Sequence, residues 1–174
     1  MSAFDFSVGY SNEISILAAT NPSQPYAPVL AINDMDVLIT WIAPDANGSP
    51  ILGYRVKIRQ NDLLYTEELV NCDGSTAVIR DATSCSIPIS VLTASPYSLP
   101  WGSNVYAKVI AYNDYGDSLV SDPGSEAIIL TIPDAPVGLT EEISARSADS
   151  ISFTWSPGPA NGGADVLDYR ISFD

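Results

Sequence analysis

Histidine is absent from the chain, and that single gap removes most hydrolytic chemistry. A Ser–His–Asp or Cys–His nucleophile needs an imidazole to take its proton. Cysteine occurs only twice, at Cys72 and Cys85, too far apart for a CxxC pair. Without histidine these two cannot complete a Cys/His zinc set. Basic residues are scarce: 7 Lys and Arg stand against 21 Asp and Glu, a net charge of −14. That shortage argues against nucleic acid and anionic membrane surfaces as partners. The acidic excess favours solubility and leaves room for weak divalent-cation binding, with a solvated acidic surface preferred over specific calcium sites. No apolar run reaches the length of a membrane span. The start, Met1-Ser2-Ala3-Phe4-Asp5, lacks the basic residues and long apolar stretch of a signal peptide. A Gly-rich phosphate loop and a GxSxG elbow are missing too. The acidic doublets Glu67-Glu68 and Glu141-Glu142 do not replace them, since strand neighbours point to opposite faces. The expectation is a non-catalytic chain with no cofactor.

What is present is period-two alternation. Val37, Ile39 and Trp41 alternate with Leu38, Thr40 and Ile42; after a polar turn, Tyr54, Val56 and Ile58 alternate with Arg55, Lys57 and Arg59. Every second side chain of a strand shares a face, so the stretch predicts two half-buried strands joined by a loop. Trp41 is the largest apolar group, and burying about 200 Å² of it contributes about 5 kcal/mol as an upper bound. Trp41 and Tyr54 are therefore expected at the core. The pattern recurs: Phe153-Thr154-Trp155 echoes Ile39-Thr40-Trp41, Asn161-Gly162 echoes Asn47-Gly48, and Tyr169-Arg170-Ile171 echoes Tyr54-Arg55-Val56. Upstream, Ala135-Pro136-Val137 echoes Ala27-Pro28-Val29 at an offset of 108, against 114 at the tryptophans. A repeat of this length fits whole small domains, with Trp155 as the second hub.

The rest of the chain reads as short strands between turns. Glu13, Ile14 and Ile16 begin one strand, ended by Asn21-Pro22-Ser23-Gln24-Pro25. Strands are predicted over 27–32, 37–42, 53–60, 64–70, 77–79, 85–89, 105–112 and 127–132, with no helix. Pro133, Asp134 and Pro136 form a second stiff joint like the first.

Residues 25–132 resemble a fibronectin type III domain. The Trp41 strand, the Tyr54 strand after an Asn-Gly loop, and the run Leu99, Gly102, Val105, Ala107, Val109, Ala111, Asn113, Gly116 follow that family's pattern. The resemblance implies an all-β fold: an antiparallel seven-stranded β-sandwich, immunoglobulin-like. It also divides the chain into the final strand (G) of one domain at 1–24, a complete domain at 25–132, and strands A, B and C of a third at 133–174. Val105 departs from the family, occupying the place of its corner tyrosine.

Cys72 and Cys85 flank a polar loop, and a disulfide is favoured over two buried thiols. A bridge would imply an oxidising compartment. Asn47-Gly48-Ser49 is a glycosylation sequon, with Pro50 working against modification. Tyr115-Gly116-Asp117 occupies the loop of an integrin-binding Arg-Gly-Asp in some relatives, but lacks its arginine. Arg55, Lys57 and Arg59 share a strand face and are read as solvated edge charges, with an acidic neighbour as the alternative. Taken together the sequence points to an extracellular structural segment of a tandem array, a window on a longer filamentous polymer, with protein partners or copies of itself. An adhesion or receptor ectodomain, or an accessory module of a secreted polysaccharide-degrading enzyme, is the alternative.

Overall fold

A computed structural model describes residues 12–16 and 18–172. In the central unit the alternating stretches fold as strands whose apolar phase faces inward. β1 (Val29–Asn33) pairs antiparallel with β2 (Asp36–Thr40), and β2 with β5 (Ser84–Pro88). In the opposing sheet β3 (Gly53–Arg59) lies between β4 (Tyr65–Glu67) and β6 (Asn104–Asn113). β6 also pairs with the two-residue β7 (Gly116–Asp117) and with β8 (Gly124–Ile128). All pairings are antiparallel, and both sheets feed one core that includes Val37, Ile39, Val56, Ile58, Ile87 and Val109. The order β1-β2-β5 facing β4-β3-β6-β8 is that of a fibronectin type III-like sandwich, A-B-E against C′-C-F-G, with β7 added.

Trp41 and Tyr54 sit at the centre, 5% and 4% exposed. Their rings meet edge to face at 5.2 Å, a geometry the ring quadrupoles favour. Trp41 Nε1 is buried without a hydrogen-bond partner among the described residues.

Two short helices correct the all-strand expectation. The stretch expected as a strand over 77–79 is instead helix α1 (Ala77–Ala82). Cys72 and Cys85 lie 5.2 Å apart between Cα atoms, so the intervening chain must turn back on itself. A helix advances 1.5 Å per residue against about 3.3 Å for a strand, which suits that closure. Only Ile79 of α1 packs against the core. Ile89 continues the phase of Cys85 and Ile87 but opens helix α2 (Ile89–Thr93). Ile89 and Leu92 are both buried, three apart on one helical face.

The strand expected from Glu13 has no ladder over 12–16 and 18–24, and residues 1–11 lie outside the described residues. In the third unit β9 (Val137–Glu141) pairs antiparallel with β10 (Phe153–Ser156), with a bulge between Thr154 and Ser156. No strand follows over 157–172, so the expected strand C is not formed there. Trp155 and Tyr169 nevertheless repeat the edge-to-face pair, at 5.6 Å and 66° against 63° for the first.

Val105 is fully buried, and a tyrosine nearby in sequence is buried as well. Tyr97, in the loop before β6, is 3% exposed, and its hydroxyl donates to Glu67 O at 3.4 Å. Burial, aided by the nearby Glu68 carboxylate, pushes the Tyr97 phenol up to about 12. A folded-state value above the unfolded one favours folding below the unfolded value, near 10, and that stability is lost as pH rises through 12. Urea titrations at stepped pH should therefore show stability falling between about pH 10 and 12, with a shallower fall in Tyr97→Phe. Equal slopes would remove Tyr97 from the account.

Candidate functional site

No catalytic constellation converges among the described residues; the built feature is the proline joint. Pro22 and Pro25 are buried and lack N–H groups, so the linker's backbone donors come from the residues around them. Thr20 N donates to Asn47 O at 3.0 Å, and Ser23 N to Asp45 O at 2.9 Å. The accepting loop is shaped by Asn47 and Gly48, at φ +50° and +84°, and by Asn47 N donating to Asp45 Oδ1 at 2.8 Å.

Side chains lock this arrangement from three sides. Asn47 Nδ2 donates to Asn21 O at 2.9 Å and to Ser23 Oγ at 3.3 Å. The nitrogen that would carry a glycan at this sequon is thus committed to the joint. Asn113, at the end of β6 and 5% exposed, sends Nδ2 to Thr20 O (2.8 Å), Ala46 O (3.2 Å) and Ser49 O (3.2 Å). Two N–H groups shared among three carbonyls tie linker and loop to the far sheet. Asn21 Nδ2 reaches Asp117 O, and Gln24 Nε2 reaches Val120 O, at 3.0 and 2.8 Å.

The second joint repeats the backbone pattern. Thr131 N donates to Gly162 O and Asp134 N to Ala160 O, both at 2.9 Å. Thr20 and Ser23 thus correspond to Thr131 and Asp134 at a common offset of 111, while the accepting residues are offset by 115. The structure aligns Thr20-x-Pro22-x-x-Pro25 with Thr131-x-Pro133-x-x-Pro136, three residues out of step with the Ala-Pro-Val match. The strands agree, because Thr40 opposes Val29 and its counterpart Thr154 opposes Thr140, again 111 apart. Glycine is required where the chains touch: Gly162 has φ +73°, and a Cβ there would collide with Thr131 O. A Cβ on Gly163 would strike the backbone of Gly102 in the central unit. Pro133, Asp134 and Pro136 line a groove of about 280 Å³ with Ala160, Asp168 and Tyr169.

The other predicted positions lie apart from the joints. Cys72 and Cys85 are bonded to each other and buried at 1% and 5%, although the residues around them are polar. Cys85 shares the inward phase of Ile87 on β5, so the bridge fastens the loop to the core. Asp117 meets Arg55 Nε at 3.5 Å. Sequence reasoning missed Asn113, Thr20, Thr131 and Tyr97 as positioning groups. The recurring Thr-x-Pro-x-x-Pro was the available signal for the threonines.

No family model matches the chain. Among solved structures, domains A168–A170 of titin match at 20% identity and a TM-score of 0.46, covering 63% of this chain and 32% of that fragment. The chicken CNTN1 FN1–FN3 domains match at 18% and 0.46, covering 82% and 44%. The 6th fibronectin type III domain of human fibronectin type III domain containing protein 3 matches at 17% and 0.45, covering 69% and 92%. The chain spans about a third of the titin fragment and less than half of the CNTN1 fragment. At these identities nothing about activity or partners passes to this chain.

Proposed function

We propose that the chain is a non-catalytic, extracellular structural segment of a tandem fibronectin type III array, in which each proline joint sets the orientation of the next unit. On this reading 1–24 ends one domain, 25–132 is a complete one, and 133–174 begins a third. The observation that carries it is the recurrence of the linker–loop pair, Thr20/Ser23 on Asn47/Asp45 and Thr131/Asp134 on Gly162/Ala160. Hydrogen bonds on both sides of a proline resist bending and twisting, so successive units step in a repeated direction. Such an array spaces its ends and passes load along the chain without chemistry of its own. The buried disulfide supports an oxidising compartment, hence a cell-surface or extracellular setting and a larger filamentous assembly. No helix among the described residues is long and apolar enough to cross a membrane.

The test is a distance distribution between spin labels at D62C and D149C, one in each of the last two units. A single narrow distance is expected, and Gly162→Val should broaden it without unfolding the central core, since its Cβ meets Thr131 O. A broad distribution in the unsubstituted joint would overturn the spacer role.

A further inference from the structure

The outer face of the larger sheet concentrates the scarce positive charge. Arg55, Lys57 and Arg59 on β3 and Lys108 on β6 share it, four of the seven basic residues of the whole chain. Glu67, Asp117 and Glu126 are the acidic groups there: the first two lie beside Arg55, Glu67 also stands opposite Lys57 across the β3–β4 ladder, and Glu126 is exposed on β8. Elsewhere in 25–132 nine acidic residues face a single cation, Arg80. The unit is therefore dipolar: one sheet face at +1, and the rest at −8.

Two features of the lysines on this face do not serve fold stability. Lys57 stands directly opposite Lys108 across the β3–β6 ladder, and like charges so placed destabilise a sheet. Among the described residues neither lysine forms an ion pair. The cations are also held in place: Arg59 stacks on Tyr106 at 3.6 Å, Lys108 on Tyr65 at 4.6 Å, and Arg55 lies 5.5 Å from Tyr112. Tyrosine and arginine fixed on a flat strand surface are the groups that dominate protein interfaces, and their ordering entropy is already spent.

We propose that this face docks the acidic surface of a second copy of the chain, making a lateral contact between arrays. Charge complementarity selects the occupant, since an acidic protein surface is what the remainder of this molecule supplies in excess. The contact is heterologous, basic face to acidic flank, so each copy keeps a free face of each kind for a further neighbour. It is independent of the joints, and its failure would leave the spacer role standing.

Salt provides a signature. At about 0.01 M the −14 net charge repels at long range; near 0.1 M screening beyond about 10 Å leaves the local attraction; near 1 M that too is screened. Sedimentation velocity of the full chain should show association peaking near 0.1 M and falling on either side. Lys108→Glu turns the Lys57–Lys108 repulsion into an attraction. Its melting temperature should hold or rise while its self-association weakens by about tenfold. Lys57→Gln with Lys108→Gln serves as the neutral control and should weaken association in the same direction. Labelled Lys108→Glu should still be taken up by wild-type chain, because it keeps the acidic flank. A monomer at every ionic strength, association that only increases with salt, or variants that associate like wild type would each overturn the proposal. Tight binding of heparin by a chain that stays monomeric would overturn it as well.

Discussion

Trp41→Ala is expected to cost the central unit about 3–5 kcal/mol, a large share of the margin that keeps a domain of this size folded. The indole is 5% exposed and packs edge to face on Tyr54, between the two sheets. Its removal leaves a cavity bounded by strands that cannot collapse together without breaking their ladders. Trp41→Phe should cost much less, since it keeps an aromatic ring and deletes the buried Nε1 donor that has no partner. Trp155→Ala should cost less than half as much as Trp41→Ala, because Trp155 is only partly buried and Tyr169 is 39% exposed. Denaturant titration followed by tryptophan fluorescence measures all three. Equal losses at Trp41 and Trp155 would contradict the unequal packing of the two hubs.

Removing the disulfide should be the second large effect, about 3 kcal/mol for a loop of this length. The bridge closes 13 residues. Little else holds that loop, since α1 has no buried residue. The loop's backbone is tied to the core strands at two points, where Gly74 O accepts from Tyr54 N and Thr83 O accepts from Trp41 N, both at 3.0 Å. Both sulfurs lie in the apolar core, so the choice of replacement matters. Cys72→Ala with Cys85→Ala should lose roughly the bridge alone. Cys72→Ser with Cys85→Ser should lose more, because two hydroxyls enter an apolar site. Limited proteolysis of the alanine pair should cut first within 73–84. A first cut elsewhere, or equal stability of the two pairs, would count against a bridge buried in the core.

The strands were readable wherever alternation coincided with burial on one face. Val37–Trp41, Tyr54–Ile58 and Val105–Asn113 keep the predicted phase in the structure, because slipping one residue would turn every apolar group to water. Ala77-Val78-Ile79 misled for the complementary reason. Its β-branched residues suggest a strand, but the segment buries no residue and only Ile79 packs against the core, so no sheet face holds it extended. The Cys85-Ile87-Ile89 phase ran one residue too far, since Leu92 is three positions beyond Ile89 and only a helix brings both inward. The joints were legible as proline-rich joints but not in register. Ala-Pro-Val matched by composition at 108, whereas the hydrogen bonds match at 111. A linker has no buried face to fix its phase, so identity of residues could not choose the alignment. Asn113 stood in the quoted Ala-x-Asn-x-x-Gly run, yet its carbonyl partners come from residues 64, 67 and 93 positions away. No local pattern encodes such a meeting.

Amide hydrogen exchange at Thr20, Ser23, Thr131 and Asp134 tests the repeated joint most directly. These four N–H groups donate from linkers that would otherwise be open to water. Slow exchange at all four, with Thr20 and Ser23 accelerated by Asn113→Ala and Thr131 and Asp134 unaffected, is the result the account predicts. Exchange at unstructured-chain rates at either pair would mean that the units are strung on loose tethers, and the fixed step between them would be wrong.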